Sequence, residues 1–189
     1  LVLAGPPGAG KGRVADDVLG TKRAHYVNVD ADEFKQLLLR EAIADGSYDS
    51  RIKPEVVHEL EAQGERFYPL ELASLVHEES SQLAAALRQS LIETRTNVIV
   101  DTVLGSEGPA RTIGEQFAAA GYEVTVIDVE VTFEISEDRI KQRWQEAMHD
   151  VEIGVDGVLG GRWVPSTYAR PLFETKHGRS KSQDVAEKL

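Results

Sequence analysis

The first dozen residues constrain the fold of this chain more than any other segment. An apolar run over residues 1–4 leads directly into Gly5-Pro-Pro-Gly-Ala-Gly10-Lys11, the G-x-x-x-x-G-K pattern of a phosphate-binding loop (P-loop) between a strand and a helix. Its glycines let successive backbone N–H groups face a phosphate, and the helix that follows adds its positive end. The residues predicted to bind a nucleotide are Gly5, Pro6, Pro7, Gly8, Ala9, Gly10, Lys11, Gly12 and Arg13.

The end of this motif departs from the usual pattern. Gly12 stands where most P-loops have the Ser or Thr whose hydroxyl binds Mg²⁺. Adenylate kinases also have Gly after the lysine and place the hydroxyl one residue later, but here that residue is Arg13. Arg13 either adds charge at the phosphates or lies on the helix surface. Mg²⁺ would then depend on Asp side chains, water and the nucleotide, which suits a cation that keeps much of its hydration.

Composition narrows the class of protein. The 189 residues, 41% of them hydrophobic, are enough for one buried core, and we expect one domain over residues 1–189, part of a longer chain, with a polar tail over 177–189. The net charge of −11 argues against nucleic-acid binding, and a solvated tail explains the basic cluster of Lys176, His177, Arg179 and Lys181. With no cysteine and no run of about 20 apolar residues, we expect a cytoplasmic protein without a membrane partner.

Strands and helices alternate along the chain. Strands are predicted over 1–4, 26–29, 98–101 and 122–131. Helices are predicted from the P-loop to 19, over 33–44, from Pro54 to 64, over 70–94, over 110–120, after a Ser136 cap, and over 165–176. The 70–94 helix would bury Leu72, Leu75, Val76, Leu83, Ala86, Leu87 and Leu91. This alternation predicts a three-layer α/β fold, a parallel sheet flanked by helices on both faces.

Three aspartates follow predicted strands, at the sheet edge where open α/β folds bind ligands. Asp30 and Asp32 follow the second strand, and Asp101 ends the apolar run Val98–Val100. A carboxylate there can accept a proton from an attacking hydroxyl or hold Mg²⁺ through water, although Asp also caps helices and ends strands without further function. We predict function for at least one of Asp30 and Asp32, and a metal or substrate role for Asp101.

Arginines form the second group of candidates. Arg139 and Arg143 lie one helical turn apart and can share a face. Arg162 comes directly after the glycine-rich segment 150–161. Arginines neutralise developing charge in phosphoryl transfer, but a solvated helix face is the ordinary setting for one. The five histidines show no metal-ligand spacing.

Several segments together resemble the zeta toxin family of kinases. Val29-Asp-Ala-Asp-Glu-Phe-Lys35 is similar to a D-x-D-x-F-K segment that follows the P-loop in the family. The strand ending at Asp101, the segment Ala118–Val126, and the pairs Arg143-Trp144 and Arg162-Trp-Val-Pro165 extend the resemblance over most of residues 1–170. The family's E-G-T-x-R is replaced by Asp101-Thr-Val-Leu-Gly105, and its last strand is not evident after residue 176.

The resemblance implies a P-loop kinase that phosphorylates the sugar 3′-hydroxyl of UDP-N-acetylglucosamine with ATP or GTP and Mg²⁺, and a small helical antitoxin that obstructs its nucleotide site. It implies that Asp32 is the base, that Lys11, Arg143 and Arg162 surround the phosphates, and that Asp30, Asp101 and Thr102 face the substrate. Asp32 and Asp101 are the candidates for holding Mg²⁺ through water. The alternatives are a kinase for another small molecule or nucleoside, and a nucleotide-binding module without catalysis.

Overall fold

The computed structural model describes residues 1–176 and 178–188. Its centre is a four-stranded, fully parallel sheet in the order β2-β3-β1-β4. The strands are β1 Val2–Ala4, β2 Tyr26–Val29, β3 Asn97–Asp101 and β4 Val126–Asp128. The central strands β1 and β3 are almost entirely apolar and buried, as expected for a parallel sheet with both faces covered.

Helices connect the strands, as the alternating pattern predicts. They are α1 Lys11–Leu19, α2 Ala31–Asp45, α3 Glu55–Ala62, α4 His77–Glu93, α5 Glu107–Ala119, α6 Phe133–Glu152, α7 Ser166–Ala169 and α8 Lys181–Ala186. Short 3₁₀ segments cover Gly20–His25, Pro69–Val76 and Arg170–Leu172, and one π-type turn covers Tyr48–Ile52. Among the described residues, no helix combines the length and apolar character needed to cross a membrane.

Two compact units share the chain, each built from several segments. The sheet unit contains Leu1–Asp30, Ala86–Ile140 and Val164–Leu189, and the helical unit contains Ala31–Ala85 and Lys141–Trp163. In the sheet unit, Leu3, Ala15 and Ile99 form a buried cluster that joins β1, α1 and β3. In the helical unit, a second buried cluster joins α2, the π-type turn and the 3₁₀ segment Pro69–Val76. Its buried members are Leu39, Ala42, Tyr48, Ala73 and Val76.

The predicted helix over 70–94 is two elements with a different buried face. A 3₁₀ segment over Pro69–Val76 precedes α4, and the buried residues are Ala73, Val76, Ser80, Ala84 and Ile92. Leu75 and Leu83, predicted to be inside, are 44% and 41% exposed. Ser80 can lie on the buried face because its hydroxyl donates to the His77 carbonyl at 2.8 Å. In α2, Leu39 is buried and Leu37 is exposed.

Two further predictions need correction. Only Val126–Asp128 of the predicted strand 122–131 pairs with the sheet, because Tyr122 folds back and its hydroxyl donates to the carbonyls of Leu91 and Thr96. Ser136 does not cap a helix, because α6 begins three residues earlier at Phe133. The Thr132 hydroxyl accepts from the Ile135 amide at 3.4 Å instead, and Ser136 is fully buried.

The predicted polar tail contains a short packed helix, α8. Ser180 caps it by accepting from the Gln183 amide and donates to Glu130, while Ser182 donates to the carbonyl of Val103. Both serines are buried, together with Val185. Polar residues thus anchor this segment, and for that reason its hydropathy does not predict packing. In the basic cluster, Arg179 pairs with Asp184 and Glu187, and His177 lies outside the described residues.

Candidate active site

The P-loop has the conformation that its glycines permit. It runs from the end of β1 at Ala4 to the start of α1 at Lys11, with positive φ at Gly5 (146°), Gly8 (73°) and Gly10 (95°). A Cβ on Gly5 would lie 2.6 Å from the Val129 carbonyl oxygen. The loop therefore needs glycine at these positions both for its turns and for its close contact with the chain after β4.

Lys11 lies over its own loop. Its Nζ donates to the Gly5 carbonyl at 3.0 Å and to the Pro6 carbonyl at 3.5 Å, and lies 3.5 Å from a carboxylate oxygen of Asp101. The two side chains are 13% and 21% exposed. Asp101 ends β3, which pairs with β1 through Leu3, so the sheet register brings the predicted lysine and carboxylate together.

The strand-ending carboxylates line one edge of the sheet unit. Val29 pairs with Val100, so Asp30 follows β2 beside Asp101. On the other side of β1, Asp128 ends β4 and pairs with Ala4, one residue further along β1 than the Leu3 that pairs with Asp101. Asp128 was not among the predicted site residues, although Val126-Ile-Asp128 repeats the apolar-strand-then-Asp pattern that singled out Asp101.

Asp128 has an unusual environment. Its Oδ1 atom is buried and accepts no hydrogen bond among the described residues. Burial, with a smaller contribution from the neighbouring Glu130 carboxylate, raises the pKa of Asp128 to about 6, and the positive charge of Lys11 opposes that rise. Burial disfavours the charged form of a carboxyl group, so Asp128 changes charge at about pH 6.

Asp32 lies in the first turn of α2, in the helical unit. Its carboxylate pairs with Lys35 Nζ at 2.9 Å and with the guanidinium of Arg162. Lys35 is 14% exposed, Arg162 22% and Asp32 37%. The structure thus joins two residues that the sequence analysis proposed separately, 130 positions apart. A cation on each side fixes the orientation of the Asp32 carboxylate.

The glycine-rich segment before Arg162 is packed against side chains of the helical unit. Leu159 accepts a hydrogen bond from the Leu70 amide, and Gly157 accepts one from the Arg40 guanidinium. A Cβ on Gly160 would lie 2.3 Å from the Tyr68 Cβ, and one on Gly161 would lie 2.5 Å from the Trp144 carbonyl oxygen. Glycine here permits close packing, and the packing determines where Arg162 leaves the backbone.

The remaining predicted residues have varied positions. Gly12 and Arg13 are exposed in the first turn of α1, and nothing lies within 4 Å of a Cβ built on Gly12. Arg143 is exposed on α6. The Thr102 hydroxyl accepts from the Leu104 amide at 3.2 Å in a turn that gives Leu104 a positive φ of 53°. Thr102 and Leu104 line a cavity of about 340 Å³ in the sheet unit.

Arg139 contacts the P-loop directly, which the sequence does not predict. Its guanidinium donates to the carbonyls of Gly8 and Ala9. The sequence made Arg139 and Arg143 equal candidates for neutralising charge, and the resemblance then singled out Arg143 alone. Spacing does not show which of two arginines reaches the loop.

Few metal ligands converge in the described part of the chain. No group of three or more His, Asp or Glu side chains there is arranged to hold a metal ion. Asp101, beside Lys11, suits a magnesium ion that takes its other ligands from phosphate oxygens and water.

Comparisons with known proteins agree with this architecture. The sequence model of the zeta toxin family matches residues 1–188, and no curated protein matches the sequence significantly. Two solved structures share the fold. AvrRxo1-ORF1:AvrRxo1-ORF2 with sulphate ions matches with a TM-score of 0.53 and 22% identity, over 77% of this chain and 40% of that chain. The Pnkp1/Rnl/Hen1 RNA repair complex matches with a TM-score of 0.52 and 16% identity, over 100% and 45%. This chain spans less than half the length of either.

Proposed function

The chain belongs to the zeta toxin family, and from that premise we propose that it transfers the γ-phosphoryl group of ATP or GTP to a hydroxyl of a nucleotide sugar such as UDP-N-acetylglucosamine. The observation that carries the proposal is the P-loop itself, with Lys11 on the loop carbonyls and paired with Asp101 at the carboxyl edge of the sheet. A P-loop lysine in that position binds the β- and γ-phosphates of a nucleoside triphosphate.

Lys11 and the loop amides would bind the phosphates. The Lys11 ammonium group now contacts the Gly5 carbonyl and the Asp101 carboxylate. When a nucleotide binds, phosphate oxygens would replace these contacts, because they also attract the ammonium group. Mg²⁺ would neutralise charge on the β- and γ-phosphates when bound. We assign Asp101 to its hydration shell, because Gly12 has no hydroxyl to offer. Asp30 and Thr102, at the same sheet edge, remain our candidates for substrate contacts.

Asp32 would be the general base. In the transfer, the acceptor oxygen forms a bond to the γ-phosphorus, the bond from that phosphorus to the β-bridging oxygen breaks, and the hydroxyl proton passes to the Asp32 carboxylate. The pairing with Lys35 and Arg162 orients this carboxylate, and orientation is a large part of catalysis in phosphoryl transfer. We assign Arg162 and Arg143 to the negative charge of the transferring group.

A coupled assay of ADP release against a panel of hydroxyl acceptors tests the function. We expect turnover with UDP-N-acetylglucosamine and a phosphorylated sugar in the product. Turnover only with a nucleoside or another small molecule would favour the alternative kinase. ATP binding without turnover on any acceptor would favour the non-catalytic module.

A small helical protein that covers the nucleotide site is the partner we propose. The family membership supports it, and one structural neighbour is itself a complex of two chains, AvrRxo1-ORF1 and AvrRxo1-ORF2. Because such a partner would compete with nucleotide, saturating ATP should weaken its binding in a titration.

A further inference from the structure

The first half of α6 makes three hydrogen bonds to the P-loop. Ser136 Oγ donates to the Pro7 carbonyl at 2.7 Å, and Arg139 Nη1 donates to the carbonyls of Gly8 and Ala9 at 3.1 Å each. Ser136 and Arg139 are three residues apart, so they lie on one face of the helix. Three consecutive loop carbonyls are therefore held by two side chains, which we call the α6 brace.

The loop also touches the helix backbone. A Cβ on Gly8 would lie 2.8 Å from the Ser136 carbonyl oxygen and 3.5 Å from the Arg139 Cβ. The loop thus lies directly on α6 at this glycine. Contact this close leaves little freedom for the peptide groups on either side of Gly8.

Carbonyl orientation decides where the amides point. In a planar trans peptide the C=O and the following N–H point in opposite directions. Holding the carbonyls of Pro7 and Ala9 toward α6 therefore turns the amides of Gly8 and Gly10 away from the helix, where they can face a phosphate. The Ala9 amide is already used, since it donates to the Pro6 carbonyl at 3.2 Å.

The charge of Arg139 has a second effect. Carbonyl oxygens near a phosphate site repel the anion, and a guanidinium that binds two of them offsets their partial negative charge. Arginine stays protonated at any physiological pH, and here a single guanidinium nitrogen, Nη1, donates to both carbonyls.

We propose that Arg139, supported by Ser136, is a positioning residue that holds the P-loop in its phosphate-binding conformation. The proposal rests on the proposed function to the extent that the loop binds nucleotide phosphates. Arg139 acts through the loop backbone, and so its contribution belongs to phosphate binding rather than to the transfer step.

The test compares Arg139→Ala, Arg139→Lys and the control Arg111→Ala, which removes an arginine from an exposed site on α5. Binding of ATP and of tripolyphosphate is measured by calorimetry, and basal ATP hydrolysis gives kcat and KM. We expect Arg139→Ala to raise the Kd of both ligands about tenfold, the size of a lost charged hydrogen bond. KM should rise with it while kcat changes less than about twofold. Arg139→Lys should recover part of the loss, and Arg111→Ala should match wild type.

The outcomes distinguish a failure of the proposed function from a failure of the positioning role of Arg139. Wild-type protein that fails to bind ATP contradicts the proposed function. If wild type binds and Arg139→Ala binds as tightly as Arg111→Ala, only the positioning role is overturned. A fall in kcat with unchanged KM also overturns it, because Arg139 would then act on the transition state. Should Arg139→Ala fail to fold, Arg139→Lys carries the same comparison, and unchanged affinity in that variant contradicts a positioning role of the guanidinium group.

Discussion

The P-loop and the Asp32–Arg162 pair are both built from a cation and a carboxylate, but they are held in different ways. Asp101 ends β3, and Lys11 begins α1 directly after the loop that follows the neighbouring strand β1. That loop owes its conformation to glycines at fixed sequence positions. Asp32 and Arg162 come from a helix and an irregular segment 130 residues apart, and packing around Gly160 and Gly161 joins them. Local backbone geometry determines the first arrangement, and long-range packing determines the second.

Lys11→Ala tests the P-loop side of this comparison most severely. We expect it to reduce phosphoryl transfer by about 10³-fold or more, since it removes a charged group that stabilises the transferring phosphate. The variant should also lose affinity for ATP and keep its fold, measured by calorimetry and circular dichroism. Full activity would remove the P-loop assignment.

Asp32→Asn tests the other side. We expect a loss of about 10²-fold in kcat, the lower range for removal of a general base, with nucleotide affinity largely kept. The two variants should therefore differ in what they lose. Lys11→Ala should lose affinity for ATP as well as activity, whereas Asp32→Asn should lose only turnover. A near-normal rate in Asp32→Asn would exclude Asp32 as the base.

Gly8→Ala and Gly12→Ala compare two glycines within the P-loop segment. Gly8 has a positive φ and no room for a Cβ, so Gly8→Ala should destabilise the protein by about 1–3 kcal/mol and weaken ATP binding. Gly12 lies in the first turn of α1 with open space around it, so Gly12→Ala should stabilise the protein by up to about 1 kcal/mol. Chemical denaturation measures both, and equal effects would contradict the described loop geometry.

Asp128→Asn is expected to change stability alone, and only above about pH 4, and it tests whether the sheet edge is electrostatically strained. Because the pKa of Asp128 is raised to about 6 in the folded protein, the folded state binds more protons than the unfolded state between about pH 4 and 6. This carboxyl therefore lowers stability as the pH rises through 6.

A rise of the pKa to about 6 corresponds to roughly 3 kcal/mol, which solvent screening reduces for this partly exposed group. The variant should therefore be more stable than wild type at pH 8 by about 1–2 kcal/mol, and the difference should vanish near pH 4. Unfolding curves across pH measure it, with Asp17→Asn on the exposed face of α1 as the control. A difference that stays constant with pH would show that the substitution acts through packing rather than charge.

Local chemistry explains which elements the sequence predicts. The P-loop, α1 and β2 follow from short motifs whose conformations depend on their own residues, and the positions of the sheet carboxylates follow from strand ends. The contact between Lys11 and Asp101 was not predicted, but it follows from the register of β1 and β3, whose ends bring these two separately predicted residues together. The family membership is confirmed by the match over residues 1–188.

Long-range packing explains the rest. Ser80, Ser136 and Ser182 are buried because each finds a carbonyl acceptor, and periodicity treats a serine as a surface residue. For that reason the inner face of α4, the start of α6 and the whole of α8 differ from prediction. The roles assigned to Asp32, Arg143 and Arg162 stay predictions.

Gly160 and Gly161 have a consequence for how this chain can change over evolutionary time. A Cβ at 160 would meet the Tyr68 Cβ, and one at 161 would meet the backbone carbonyl and Cα of Trp144. Replacing the facing aromatic side chain with another non-glycine residue removes neither the Cβ nor the backbone atoms. Exchanges at Tyr68 or Trp144 therefore cannot compensate for a larger residue here, and we expect 160 and 161 to remain glycine wherever Arg162 is positioned in this way.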